Sequence, residues 1–379
     1  MNYTFKGNFG ELILNVNGTE ATGTFQKNGT LKGAFINNTF KGQWENKGME
    51  GLIEFTITGD KLEGNWKKGL EPGSMRGKWE GEIIDNEMSP NPEHEDNLKE
   101  KQILNFQNKW DTIINSFNGN FRSKEIVNKF FSGEFYTYSS ADKMLNDRAL
   151  PEPYLGDPSN CSIVCLNLNP GQYLEAFQNP INGIFITKGN ALKSYSKFAK
   201  KFPYLNDDYK IKDNKALNGG HKWWEKRNNY FKRVFNYSGD SLPFALEICP
   251  WRSASFGNLK INSEFLSYVE NNVIDIASII SLRAEINFVF SVGADFRRLF
   301  EKLPSRFIKL QEVSDKNSIE LGYRFPRKKN NVLIKRRISI WKDTKYNVHY
   351  INTSAPGGNT NPSPDFDLVI RRLISENII

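Results

Sequence analysis

The sequence predicts an α/β protein: a three-layer sandwich with a mostly parallel four-stranded sheet, preceded by a small all-β domain. Three observations lead to this fold class. A glycine–aromatic repeat fills the first 84 residues, a polar stretch with two prolines follows at 85–97, and four apolar runs separated by helical patterns occupy 98–379. A chain of 379 residues has room for two or three domains of ordinary size. We therefore predict a β domain at 1–84, a linker at 85–97 and an α/β domain at 98–379.

The β domain is indicated by glycines that stand two residues before an aromatic residue at a spacing near ten. This pattern occurs at Gly7-Asn8-Phe9, Gly23-Thr24-Phe25, Gly33-Ala34-Phe35, Gly42-Gln43-Trp44, Gly64-Asn65-Trp66 and Gly77-Lys78-Trp79. Asn17-Gly18 and Asn28-Gly29 are typical hairpin turns. Short strands at regular spacing predict a closed barrel or a sandwich with the aromatic rings inside. The alternative is that the rings form a cup for a ligand or a partner, or a surface on which bases stack.

The linker and the helix after it are indicated by a change of composition. Residues 85–97 are polar and acidic and contain Pro90 and Pro92. From Leu98 onward, apolar residues recur at intervals of three and four, which predicts a helix that packs on the second domain.

Four apolar runs predict the strands of the α/β domain. They lie at 162–168, 243–251, 286–293 and 346–352, and helical patterns such as 262–282 and 296–303 separate them. Strands that alternate with helices favour a mostly parallel sheet. The first run is almost continuously apolar, which is typical of a strand covered on both faces.

The first strand ends abruptly at Asn169-Pro170-Gly171-Gln172. Pro170 cannot donate a ladder hydrogen bond, and Gly171 lets the backbone turn or approach a ligand. Ligands of open α/β sheets bind outside the carboxyl ends of the strands, so Asn169 is a candidate site residue. The alternative is a plain turn.

The second strand carries the most unusual residue, Glu247, inside an apolar run. A buried carboxylate is costly unless it is paired or faces a cavity. One interpretation is an ion pair with a residue such as Arg252. The other is that Glu247 accepts a hydrogen bond from a ligand.

The fourth strand ends at Asn352-Thr353-Ser354, and a loop containing Gly357, Gly358 and Asn359 follows. Amides of such a loop can approach a phosphate closely, although a plain loop is the alternative. Polar endings on several neighbouring strands would together form a pocket.

Composition and charge narrow the classes of function. Hydrophobic residues make up 38% of the chain and no long apolar run or signal-peptide core is present, so we expect a cytoplasmic protein without a membrane partner. Cys161, Cys165 and Cys249 are too few for a disulfide framework and lack the spacing of a zinc or iron–sulfur site, so no metal or cofactor is expected.

The net charge of +8 favours a polyanionic partner. Seven basic residues and no acid lie within 324–337, among them Arg327, Lys328 and Lys329. Such a run is usually a solvated hairpin, but near a site it would attract a phosphate backbone.

These strand ends resemble the motifs of the uracil-DNA glycosylase superfamily over residues 100–379. Segment 166–171 (Leu-Asn-Leu-Asn-Pro-Gly) looks like the first motif, and Asn352-Thr353-Ser354 stands where the second motif lies. Segment 149–158 is similar to the lead-in of a divergent bacterial, glycosylase-like branch. The N-terminal β domain has no counterpart in this resemblance.

The resemblance implies hydrolysis of the N-glycosidic bond of a flipped base in DNA. It implies catalytic roles for Asn169 and Asn352, base contacts from Pro170, Gly171, Gln172, Phe185 and Glu247, and phosphate contacts from Ser354, Gly357, Gly358 and Asn359. Glu247 would suit the exocyclic amine of a cytosine-type base. Members of the superfamily serve DNA repair, and some glycosylase-like proteins remove modified bases of phage DNA, which makes antiviral defence a second context.

Two departures from the family pattern leave other functions open. Asn169 can orient a water molecule but cannot deprotonate it, and Asn352 stands where histidine is common. One alternative is a protein that binds modified nucleic acid or a nucleotide without catalysis. Another is a scaffold whose β domain holds a protein partner.

Overall fold

The structure is a computed structural model, and it describes residues 2–26, 28–36, 38–59, 61–71, 73–74, 77–86, 92–122, 124–237, 239–255, 257–314, 316–318, 321–322, 336–354, 366–376 and 378. The chain divides into two compact units, Met1–Lys99 and Glu100–Ile379. The first is an all-β unit and the second is an α/β unit, as the sequence predicts at this level. The predicted linker overlaps the last strand of the first unit, which ends at Asn86, and the following helix, which begins at Pro92.

The first unit is a closed barrel of eight antiparallel strands. The strands are β1 (Asn2–Gly7), β2 (Gly10–Asn17), β3 (Glu20–Phe25), β4 (Gly29–Ile36), β5 (Thr39–Asn46), β6 (Met49–Thr58), β7 (Lys61–Lys68) and β8 (Gly77–Asn86). Each strand pairs with the next, and β1 pairs with β8, so the barrel has no open edge.

The glycine–aromatic repeat has a packing cause in the barrel. Aromatic rings fill its interior, and glycines on neighbouring strands leave room for them. Phe55 lies opposite Gly64, and a Cβ at Gly64 would stand 2.3 Å from the Phe55 Cβ. The prediction that the rings fill the interior is confirmed.

We expect Gly64→Ala to destabilise the barrel by ~1–3 kcal/mol, the usual cost of overpacking a filled interior. Its new methyl group would press on Phe55 and on the Glu54 carbonyl, both 2.3 Å away. Urea unfolding followed by circular dichroism measures the change. Gly73→Ala is the matched control, because its Cβ would meet only the Lys67 Nζ at 3.6 Å; an equal loss in both variants would contradict this account.

In the described part of the chain, the second unit contains ten helices, counting α1, which begins before the division between the units at Lys99 and ends in the second unit. They are α1 (Pro92–Asn115), α2 (Glu125–Phe131), α3 (Glu175–Gln178), α4 (Ile184–Thr187), α5 (Tyr195–Lys200), α6 (Gly219–Phe235), α7 (Ser263–Val269), α8 (Asp275–Ser281), α9 (Ala294–Glu301) and α10 (Asp367–Ser375), with 3-10 turns at Ala141–Lys143 and Asp207–Tyr209. A π-helical stretch, Glu270–Ile274, joins α7 to α8, so the helix predicted at 262–282 is nearly continuous. No helix among the described residues is long and apolar enough to cross a membrane.

The main sheet of the second unit has seven strands: β10 (Tyr154–Leu155), β11 (Cys161–Asn167), β12 (Leu242–Glu247), β14 (Phe288–Val292), β15 (Phe307–Ser314), β16 (Arg337–Asp343) and β17 (Val348–Ser354). They lie side by side in the order β10-β12-β11-β14-β17-β16-β15. Two further strands, β9 (Tyr136–Thr137) and β13 (Asn258–Leu259), form a separate pair.

The four predicted strands are the four neighbouring parallel strands of this sheet, β12, β11, β14 and β17. The count of four was too small, because three antiparallel strands extend the sheet at its edges. Two of these, β15 and β16, lie on either side of the basic run. Strand β15 is largely exposed and β16 mixes polar with apolar residues, so neither gave a continuous apolar signal. All seven residues of β11 are buried, which agrees with a strand covered on both faces.

Candidate functional site

A cavity of about 400 Å³ lies at the carboxyl ends of β11 and β12. It is lined by Glu152, Leu155, Asn169, Pro170, Gly171, Gln172, Leu174, Phe177, Gln178, Tyr204, Ala216, Leu217, Gly219, Gly220, His221, Trp223, Trp224, Glu247 and Arg252. This is where ligands bind in open α/β sheets, and the volume suits one small ligand. The cavity therefore brings together Asn169 and Glu247, which the sequence placed on different strands.

One wall of the cavity is the loop that follows β11. The guanidinium of Arg252 donates to the carbonyl oxygens of Pro170 and Gln172, both at 2.9 Å. The Ser253 amide donates to the Gly171 carbonyl at 3.1 Å. Gly171 has a φ of +84°, a conformation that side chains disfavour. These bonds hold the loop in one shape rather than leaving it a free turn.

Arg252 is itself held by a buried polar network. Its guanidinium pairs with Glu152, and both groups are almost fully buried. The Tyr204 hydroxyl donates to Glu152 at 2.9 Å, and the Gln178 amide donates to the same hydroxyl at 3.1 Å. The ion pair considered between Glu247 and Arg252 is thus not formed, because Glu152 takes the guanidinium.

Asn169 presents its carboxamide oxygen for a ligand or a water molecule. Its Nδ2 donates to the Ser253 hydroxyl at 3.1 Å, which fixes the plane of the amide. Among the described residues no donor bonds to the Asn169 Oδ1. The amide can therefore accept a hydrogen bond from water, but it cannot take a proton.

Glu247 is the last residue of β12 and lies beside Asn167 on β11. The Asn167 amide donates to one carboxyl oxygen at 2.9 Å, whereas the other oxygen, Oε2, is buried and has no partner among the described residues. Burial raises the pKa of Glu247 to about 8, against the opposing effect of the Asn167 hydrogen bond and of the charges on Arg227 and Arg252. Glu247 therefore carries its proton at neutral pH, with one oxygen left for a ligand.

The orientation of the Asn167 amide is set from its other side by Arg227. This guanidinium donates to the Asn167 Oδ1 and stacks on the ring of Trp223, 4.0 Å from the ring centroid. Burial lowers the pKa of Arg227 to about 10. Because the Asn167 oxygen accepts from Arg227, the Asn167 amide nitrogen is the atom that faces Glu247. The hydrogen bonds therefore run from Arg227 to Asn167 and from Asn167 to Glu247.

His221 lies in the first turn of α6 and also lines the cavity. It is 3% exposed, and neither ring nitrogen has a hydrogen-bond partner of normal geometry among the described residues. Burial lowers the pKa of the imidazole, and the charge of Lys210 lowers it further. The ring is therefore neutral at pH 7. One of its nitrogens faces the Tyr204 backbone carbonyl, a contact that acts to raise the pKa, and the other nitrogen is left as an acceptor.

Asn352 is not brought to the cavity by the fold. Its Nδ2 donates to the Ser291 hydroxyl and to the Gly293 carbonyl, each at 3.0 Å, and the residue is 1% exposed. Strand β14 separates its strand from β11. Asn352 thus ties β17 to β14, and the cavity has no described contact with it.

Phe185 is a core residue rather than a platform for a base. It is fully buried and its ring packs on Phe177, Phe198, Tyr204 and Tyr209. Phe177 is the phenylalanine that reaches the cavity.

Of the other predicted site residues, Pro170, Gly171 and Gln172 line the cavity. Ser354 ends β17 opposite Arg337 and does not line it. The predicted phosphate contacts at Gly357, Gly358, Asn359, Arg327, Lys328 and Lys329 lie outside the described residues.

Sequence reasoning missed several residues of the site. They are Glu152, Tyr204, His221 and Arg227 together with Trp223 and Trp224. The signal that could have found most of them is the basic, aromatic insertion at 188–240, whose Gly219-Gly220 precedes His221. In the described part of the chain, no group of three or more His, Cys, Asp or Glu side chains could hold a metal ion.

The chain was compared with models of protein families, with curated proteins and with solved structures, and none of the three comparisons gives a significant match.

Proposed function

We propose that the second unit is a glycosylase-like domain whose cavity takes in a flipped nucleobase and hydrolyses its N-glycosidic bond. The observation that carries the proposal is that Asn169, Glu247 and His221, each with a polar atom that no described residue binds, line one cavity. The unpaired atoms of Glu247 and His221 are buried, and buried unpaired groups are costly unless a ligand completes them, whereas Asn169 is half-buried. A flipped base offers hydrogen-bonding edges and flat faces for this purpose.

The proposed architecture is the three-layer sandwich of the glycosylases. The four parallel strands with the Asn-Pro-Gly segment at the end of β11 support it, since that segment forms a wall of the cavity. The family resemblance of segment 166–171 is the reason to consider base excision rather than another reaction on a small ligand.

In the proposed reaction, the oxygen of a water molecule attacks C1′ of the flipped nucleotide. The bond from C1′ to the base nitrogen breaks, and its electron pair leaves with the base. Asn169 accepts a hydrogen bond from the attacking water through its Oδ1. The neutral ring of His221 takes the proton that this water loses, and the carboxylic acid of Glu247 gives its proton to the departing base. Two groups whose pKa values are shifted in opposite directions suit these two tasks.

The proposed substrate is a cytosine-type base in DNA, unmodified or modified. A protonated Glu247 can use its free oxygen, Oε2, to donate to a ring nitrogen or to accept from an exocyclic amine. The second unit supplies the charge for a DNA partner, because residues 100–379 hold 40 basic against 28 acidic residues. Repair of the cell's own DNA and removal of modified phage bases both fit this chemistry.

The experiment is to incubate the protein with duplexes that carry uracil, hypoxanthine, cytosine or modified cytosines, and to measure alkali-labile abasic sites. We expect at least one duplex to be cut at the target base, and Asn169→Ala to reduce the rate by about 10²–10³ through loss of water positioning. Asn128→Ala, an exposed asparagine on α2, is the control and should retain full activity. If no duplex gives a break that depends on Asn169, the proposed activity is wrong for that panel.

A second candidate is a protein that binds the base without cleaving it. Two observations favour this candidate. Asn352 lies outside the cavity, so it cannot assist the departing base, and the amide of Asn169 cannot take a proton from water. Salt-dependent binding of the same duplexes, with no release of base, would select it.

A further inference from the structure

The barrel of the first unit has its own cavity, of about 390 Å³, at one end. It is lined by Asn8, Phe9, Phe25, Gln26, Trp44, Asn46, Met49, Trp66, Lys78 and Trp79, and we call it the barrel cup. These residues stand at the β1–β2, β3–β4, β5–β6 and β7–β8 connections, so the cup is the mouth of the barrel at that end. Because side chains fill the interior of this barrel, a ligand would lie at the mouth rather than inside it.

The walls of the barrel cup are unusually aromatic. All three tryptophans of the first unit, Trp44, Trp66 and Trp79, line it. Trp44 and Trp66 stand perpendicular, at 89° with centroids 5.4 Å apart, and Trp79 stacks on Phe9 at 4.4 Å. Rings in these orientations offer both a face and an edge to a flat ligand.

The polar groups of the barrel cup are carboxamides rather than carboxylates. The Asn46 Nδ2 donates to the Gln26 Oε1 at 3.1 Å, and the Asn46 Oδ1 is buried without a partner among the described residues. No acidic residue is among those that line the cup, so a cationic ligand would meet ring faces but no counter-charge. Lys78, the one cation in the lining, is paired with Glu80, which disfavours an anion.

We propose that the barrel cup is a second binding site, specific for an uncharged nucleobase or nucleoside. Such a ligand stacks on the tryptophans and donates a hydrogen bond to the Asn46 carboxamide oxygen. A polyanionic strand is disfavoured, because residues 1–99 hold 15 acidic against 11 basic residues. The proposal rests on the first unit alone and does not depend on the activity proposed for the second.

The test is titration calorimetry of the full chain with free nucleosides, with neutral monosaccharides and with short single-stranded oligonucleotides. It is carried out in the Gly219→Trp background, which introduces a large side chain at the lining of the second unit's cavity in order to obstruct it. Gly219 lines that cavity and a Cβ there would meet no atom within 4 Å, so the large side chain can be accommodated. We expect at least one nucleoside to bind, and Trp66→Ala to weaken its binding about tenfold.

Asn46→Leu removes the unpaired acceptor and should weaken the same nucleoside without loss of the tryptophan walls. Phe35→Leu, at the opposite end of the barrel, is the matched control and should leave the affinity unchanged. Thermal unfolding of each variant establishes that the barrel is folded. The proposal is overturned if no nucleoside binds, if sugars or oligonucleotides bind more tightly than nucleosides, or if the folded Trp66→Ala and Asn46→Leu variants both keep the full affinity.

Discussion

Arg252→Met is expected to lower the free energy of unfolding of the second unit by about 3–5 kcal/mol, the usual cost of breaking a buried ion pair from one side. The methionine leaves Glu152 buried without its cation and removes the donor to the carbonyls of Pro170 and Gln172. The unpaired Glu152 carboxylate is the larger cause, because burying an uncompensated charge is costlier than losing neutral hydrogen bonds.

Urea unfolding monitored in the second unit measures this loss. Arg298→Met is the matched control, because Arg298 is 55% exposed where it pairs with Asp295, and ion pairs at the surface contribute about 0–1 kcal/mol. Adding Glu152→Gln to Arg252→Met removes the stranded charge and should restore part of the stability. Equal effects of the two single methionine variants would show that the network does not hold the cavity wall.

Glu247→Gln is expected to lower the rate of base release by about 10²–10⁴, the range for loss of a general acid. Glutamine keeps the shape of the side chain and can still meet Asn167, but it has no proton to give to the departing base. The wild-type rate should fall as the pH rises through about 8, where Glu247 loses its proton. The same rate should also fall as the pH drops below the lowered pKa of His221, where the ring becomes protonated.

The pH–rate profile separates the two roles. His221→Asn should be slow and should lose the acid limb, and Glu247→Gln should lose the alkaline limb. A profile of Glu247→Gln that still falls near pH 8 would assign the alkaline limb to another group.

A measurement of stability against pH tests Glu247 without any substrate. The folded protein raises the pKa of Glu247 from 4.5 to about 8, so the folded state holds the proton more tightly than the unfolded chain. The stabilising contribution of protonated Glu247 to the free energy of unfolding is fully present below pH 4.5, the pKa in the unfolded chain, and is lost as the pH rises to about 8. The free energy of unfolding should therefore decline across this window, and less so in Glu247→Gln.

Sequence patterns predicted the parts of the fold that depend on local periodicity. The apolar run at 162–168 became β11, because a strand covered on both faces must be apolar throughout. The three other runs became β12, β14 and β17, which are parallel to it in the same sheet. The glycine–aromatic repeat predicted a β unit because its glycines lie where strands or rings approach closely; Gly33 faces the backbone of the next strand, and Gly77 faces the Trp66 ring.

The site was predicted only where a residue broke its local pattern. Glu247 stood out because a carboxylate in an apolar run is costly, and the structure places it in the cavity. His221 gave no such signal, because a histidine in a polar helical segment is ordinary until the fold buries it. Asn352 followed its motif but is held by Ser291 and Gly293, contacts that only the strand register reveals. The pairing of Arg252 with Glu152 joins residues 100 positions apart, which no spacing rule predicts.

The most direct test of the central claim, that a nucleobase enters the cavity at the end of β11, is the fluorescence of 2-aminopurine placed next to a cytosine-type base in a duplex. Its fluorescence rises when the neighbouring base leaves the stack, whether or not the base is then cleaved. We predict a rise on adding the wild-type protein, and none on adding Gly219→Trp, which introduces a large side chain at the cavity lining in order to obstruct it. A duplex that binds with no change in fluorescence, or an equal rise with Gly219→Trp, would contradict the claim.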